Sequence, residues 1–161
     1  LSFYHRAREL VRNRSPWYHD LVVRTIECLR HEGRLEEAMI FASDEMPYWD
    51  QSPDFYFVVG CLLLDQMQKH PEQGESLLSM IEESWLKALA IGERPELAGN
   101  VSGRGSFMAA GQLWALFDAR KEMDKASHYK GMQADMYAKY REAADRGLVS
   151  AAALEDAMAE V

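Results

Sequence analysis

Apolar positions along the chain recur at helical spacing. Ile81, Trp85, Ala88 and Leu89 run i, i+4, i+7, i+8, the stripe of a helix with one face on a core. Ala110, Leu113, Trp114 and Phe117 form a second stripe of this kind. The run Phe55-Tyr56-Phe57-Val58-Val59 has strand composition, yet it continues through Cys61-Leu62-Leu63-Leu64 without turn residues, too long for an ordinary strand. Punctuation agrees with helices. Ser15-Pro16 and Ser52-Pro53 each put a cap residue before a proline at the first helical position. Asp20 and Asp54 follow where the helix dipole favours acids, and Gly33 and Gly92 read as stops. The pattern predicts helices near 2–13, 16–31, 35–46, 53–69, 74–91, 105–120, 123–146 and 150–160. Most links are short and force neighbours to pack antiparallel, while 47–52 and 92–104 are longer.

The helices group in pairs. His31-Glu32-Gly33-Arg34 ends one helix and Leu35-Glu36-Glu37-Ala38 begins the next. This Gly-x-Leu-x-x-Ala pattern gives a tight turn at glycine and close helix approach at alanine. In a second pair Tyr56 and Gly60 take the large and small positions of the first helix, and an insertion, Lys69-His70-Pro71-Glu72-Gln73-Gly74, precedes the second. A third pair turns at Arg120-Lys121-Glu122-Met123-Asp124 without a glycine, and continues with Ala126, Tyr129 and Lys130; Trp114 stands where the second pair has Gly60. The pattern resembles a degenerate tetratricopeptide repeat, with a period closer to about fifty than to the regular ~34 residues. The expected fold is all-α, with seven to eight helices. Antiparallel pairs would stack as a short right-handed superhelix. Residues 1–14 are expected as a basic connecting helix, 15–146 as three degenerate pairs, and 147–161 as a C-terminal capping helix carrying Leu154 and Met158.

One further resemblance is more specific. Ser52-Pro53-Asp54-Phe55-Tyr56-Phe57-Val58-Val59-Gly60 is followed by Ser84-Trp85-Leu86-Lys87-Ala88-Leu89-Ala90-Ile91-Gly92-Glu93, and then by Gly103-Arg104-Gly105-Ser106-Phe107. Over about half the chain, this order is similar to the helical region that trails the catalytic domain of some bacterial family-2 glycosyltransferases. Such enzymes carry an Asp-x-Asp metal motif in a nucleotide-sugar domain. This chain has neither, so the resemblance implies a non-catalytic helical module.

Composition narrows the function classes. The 161 residues are 48% apolar and 27% charged, ordinary for a globular domain. Eighteen Lys and Arg against 26 Asp and Glu give a net charge of −8, unsuited to duplex nucleic acid. The charge is uneven: residues 1–14 hold Arg6, Arg8, Arg12 and Arg14 against Glu9, a local +3 that leaves −11 elsewhere. No run of apolar residues is long enough to span a membrane. Two cysteines make neither a disulfide framework nor a zinc site, and a cytoplasmic location is expected. The chain starts at Leu1 rather than methionine and is read as a fragment.

Few residues carry chemistry. Gly103, Arg104, Gly105 and Ser106 precede a helix, where successive amides and a guanidinium suit an anion; the plainer reading is a glycine turn with Ser106 capping the helix. Asp44, Glu45, Asp50 and Asp54 surround Met46-Pro47-Tyr48-Trp49, an acidic aromatic patch fit for a basic peptide or a sugar, or else a solvated loop with Trp49 folded onto the core. In helix-pair repeats the first helices line the concave face, which makes Phe55, Phe57, Gln66, Gln112 and Arg120 the groove candidates. Asp124 and His128 share a helix face but lack a third metal ligand. Cys28 and Cys61 are expected as buried thiols. No metal, cofactor or catalytic set is indicated. The leading expectation is an interaction module holding a peptide or partner protein, basic for preference, with homodimerisation open. The alternatives are an accessory domain of a glycosyltransferase that positions an acceptor or joins protomers, and small-ligand binding at 103–106.

Overall fold

The computed structural model describes residues 15–148, and all structural statements below concern them. They form six α-helices: α1 (Tyr18–His31), α2 (Leu35–Glu45), α3 (Pro53–Lys69), α4 (Gly74–Ile91), α5 (Phe107–Ala119) and α6 (Met123–Asp145). Short 3-10 turns at Met46–Tyr48 and Pro71–Gln73 complete the list, and no strand occurs among the described residues. The all-α expectation holds, with six helices there rather than seven or eight. The helices expected at 2–13 and 150–160 lie outside the described residues.

Local chemistry explains the element ends. Ser52 caps α3 by accepting the Phe55 amide on Oγ at 3.0 Å, with Pro53 at the first helical position. The Ser15-Pro16 start is different. Helix α1 begins two residues later at Tyr18, whose N–H donates to the Ser15 carbonyl. Gly33 (φ 72°) and Gly92 (φ 77°) take the left-handed conformation that ends α1 and α4. At the third turn, where the repeat lacks its glycine, Lys121 adopts φ 62°. A side chain is thus held in a region that costs L-residues on the order of 1 kcal/mol.

Helices α3 and α4 make the most extensive contact, followed by α5 and α6; α1 touches α2 and α3, α2 touches α3, and α4 touches α5. Two close approaches set these pairs. A Cβ on Gly60 would stand 2.3 Å from Trp85 Nε1, so glycine there lets the indole lie against α3 and donate to the Phe57 carbonyl at 3.2 Å. In the third pair a Cβ on Gly111 would meet the Gln133 amide at 2.5 Å. Gly111, not Trp114, is therefore the close-approach position of α5. Trp114 is half-buried under Lys130, whose Nζ stands 5.0 Å from its ring centre.

One core runs through all six helices, with Val22, Ile26, Ala38, Phe55, Leu62, Ile81, Trp85, Leu113 and Phe117 fully buried. Burying each large apolar side chain contributes roughly 1.5–3 kcal/mol. Ala38 and Ala126 are buried at the start of α2 and α6, as the pair pattern expects. Cys61 is buried and its thiol is pushed up to about 11 by desolvation. Cys28 is exposed, so the expectation of two core thiols fails at that position. It falls on the outer face of α1, one residue past the inward side.

Candidate functional site

The 92–106 segment returns from α4 across α1 and α3 and is tied down by polar groups. His19, 2% exposed, bonds the Ala98 carbonyl through Nδ1 at 2.7 Å and Ser52 Oγ through Nε2 at 2.6 Å. A carbonyl only accepts, so Nδ1 carries a proton; in the neutral ring Nε2 then accepts from the Ser52 hydroxyl. Asp54 accepts the Val101 amide at 2.8 Å. Buried Arg104 pairs with Glu27 of α1 and lies 3.7 Å from Asp54 of α3. Burial raises the Asp54 carboxyl above its ordinary range, and the Val101 amide and Arg104 pull against it. A hydroxyl beside an imidazole is the arrangement of a base-activated nucleophile. At 1% exposure Ser52 offers no approach for a substrate, and the pair serves to fasten the segment to α1 and α3.

This geometry answers the 103–106 expectation. The Gly103 amide donates to Glu93 Oε1 at 3.0 Å, and Ser106 Oγ donates to the same oxygen at 2.5 Å. The anion this loop holds is the chain's own carboxylate. Ser106 forms no side-chain cap for α5, contrary to expectation, because its hydroxyl turns to Glu93. Arg104 points into the core rather than to solvent, and Gly105 packs on the Gly92 backbone, where a Cβ would come within 2.4 Å.

The acidic patch divides in two. Asp44 and Asp50 are exposed, whereas Glu45 and Asp54 are buried. Glu45 accepts from the Tyr18 hydroxyl at 3.2 Å and the Trp49 indole at 3.1 Å, so Trp49 is folded onto the core edge, stacked 6.3 Å from Tyr18. The groove expected along the first helices is corrected as well. Phe55 and Phe57 are buried at 0% and 5% exposure. Gln66 and Gln112 are half-buried, and Arg120 is exposed and paired with Glu122 at 2.8 Å. None of the five lines the groove described next or the two open depressions on α4 and α6.

A groove exists elsewhere. Three helices each give it one face: Met39, Ser43 and Met46 at the α2 end, Tyr56, Val59 and Leu63 from α3, and Met80, Glu83, Ser84 and Lys87 from α4. Its volume is about 430 Å³, at the small end of ligand-pocket size. Ala42, Val59 and Leu63 make a buried apolar floor. Met46 and Met80 stand on the walls at 40% and 45% exposure. Lys87 Nζ lies 5.1 Å from the Tyr56 ring centre, a cation–π contact that holds the phenol at the rim. The Ser84 hydroxyl donates to the Met80 carbonyl within the helix, so it presents little donor capacity to a guest. Two more open depressions, at Ser79–Ala90 positions of α4 and around Met132 and Met136 of α6, are each lined by a single helix. Among the described residues no group of three His, Cys, Asp or Glu stands close enough to hold a metal ion. No helix there is long and apolar enough to cross a membrane.

The groove escaped sequence reasoning because its walls, Met39 and Met46 from the α2 end and Met80 from α4, are brought together only by tertiary packing. The available signal was three methionines at partly exposed positions, an unusual cost for a surface. No family model, curated protein or solved structure matches this chain, and the structure supports a helical domain alone.

Proposed function

We propose that the chain is a non-catalytic helical-repeat module, its pairs stacked as a right-handed superhelix. In this reading the α2–α3–α4 groove takes an apolar segment of a partner protein flanked by basic residues. The observation that carries this is the open, methionine-walled groove over a buried apolar floor. Methionine is unbranched and polarizable, and such walls adapt to different guest side chains. Exposed Glu83 lines the groove with Lys87 as the nearby cation, and the chain's net charge of −8 favours basic flanks on the guest.

The test is selection from a displayed random-peptide library on the purified chain, followed by titration of the selected peptides. Peptides pairing large apolar residues with Lys or Arg are expected. Met80→Asp should weaken them at least about tenfold, the loss of ~1.4 kcal/mol, while Arg120→Glu, remote from the groove, leaves them unchanged. Selected peptides that bind Met80→Asp equally well would remove the groove from the proposal.

A further inference from the structure

The groove between α2, α3 and α4 is walled by helix. Its lining runs from Met39 to Met46, from Tyr56 to Leu63 and from Met80 to Lys87, a step of seven residues in each case. That is about 10.5 Å along each axis. Backbone groups inside these helices are bonded to one another. At the α2 end, where a helix leaves carbonyls open, the Met46 amide donates to the Ala42 carbonyl and the Met46 carbonyl accepts from Trp49. Side chains add little. Ser84 donates to the Met80 carbonyl, and Lys87 is held over the Tyr56 ring. Ser43 and Glu83 remain at the exposed edges. An extended guest would lay one N–H and one C=O per residue over the floor of Ala42, Val59 and Leu63, with no backbone to receive them.

A helical guest arrives with its backbone already bonded. It also matches the groove in length. Residues i, i+4 and i+7 of a helix span the same ~10.5 Å, whereas an extended chain covers that distance in about three residues and turns only alternate ones inward. Met39, Met46 and Met80 bring unbranched, polarizable side chains that conform to such a ridge. Charge adds one constraint. Glu83 is exposed on the α4 wall and forms no ion pair among the described residues. We propose that the guest is an amphipathic α-helix carrying large apolar residues at i, i+4 and i+7, with a lysine or arginine beside that stripe to meet Glu83. This rests on the reading of the groove as a peptide site and adds the conformation of what it holds.

Two displayed libraries of peptides of about 15 residues, long enough for a helix to form, test it on the purified chain. In one, apolar and basic residues vary at i, i+4 and i+7 of an alanine-rich frame. In the other the same residues alternate with alanine. Binders are expected from the first library, with a gain of helical circular dichroism when they are mixed with the chain. A proline for alanine in mid-peptide, on the outer side, touches no wall but breaks the helix, and should weaken binding at least about tenfold. Met80→Asp and Met46→Asp, at exposed positions on opposite walls, should each weaken it as well. Equal or better capture from the alternating library, or indifference to the proline, overturns the helical guest while leaving a peptide site in place. Binders indifferent to both aspartate variants sit elsewhere and overturn it too. Empty selections from both libraries remove the peptide site itself, and the helical guest with it.

Discussion

Glu93 accepts from a backbone amide and a serine hydroxyl in a half-buried setting, and burial pushes its carboxyl above the ordinary range despite both donors. Asp54 is raised for the same reason. A raised carboxyl binds its proton more tightly in the folded chain than in the unfolded one. Its contribution to stability is therefore full below the unfolded pKa and lost as pH rises through the folded one. Glu93→Gln keeps an acceptor for Gly103 but cannot titrate. The melting temperature of the native chain, relative to this variant, is expected to rise as pH falls from about 7 to about 5; a constant difference in thermal melts would contradict it. At this scale the sequence was half legible. The glycine-serine loop announced an anion cradle, but nothing near 103–106 said that the anion sits ten residues earlier at the end of α4. Burial of Phe55, Phe57, Glu45 and Asp54 was likewise hidden, because helical spacing alone does not say which side of α3 meets α1 and the returning segment.

Helices and turns were the most legible level. Proline and glycine marked ends that fall within two residues of the observed ones, since those residues act through their own backbone and need no tertiary partner. Pairing contacts were less readable. Gly60 against Trp85 agrees with the small-residue pattern, while the third pair uses Gly111 three residues before the expected place. Both glycine contacts are steric, so Gly60→Ala should destabilise by about 1–3 kcal/mol, measured by urea unfolding. At the third turn the prediction has the opposite sign. Lys121 holds a left-handed conformation that glycine takes without steric cost. Lys121→Gly should stabilise by up to about 0.5 kcal/mol once the backbone entropy of glycine is deducted, seen as a higher urea midpoint with unchanged slope.

Across the whole molecule the decisive element is the 92–106 segment, which joins the first pair, the second pair and the entry to the third. Arg104 stands at its centre, buried against Glu27 and Asp54. Arg104→Met keeps most of the volume but strands two carboxylates, and a loss of about 3–5 kcal/mol is expected. Helices α5 and α6 reach the rest mainly through α4 and this segment. In the variant their amides should therefore exchange well ahead of those in α3 and α4, a difference that hydrogen exchange resolves residue by residue. Equal protection throughout would mean that the α4–α5 contact alone holds the third pair.

The fastening of His19 to Ala98 and of Glu27 to Arg104 also bears on the order in which the chain becomes native. Simple helical arrays are built from neighbours, and each unit can close as soon as it exists. Here the partners are 79 and 77 positions apart. A ribosome delivering the chain from its N-terminus releases α1 long before Ala98 and Arg104 have been translated. The first pair must wait with His19 unsatisfied and Glu27 holding only its helix neighbour Arg24, and its final locking is a late, non-local step of the kind that slows folding.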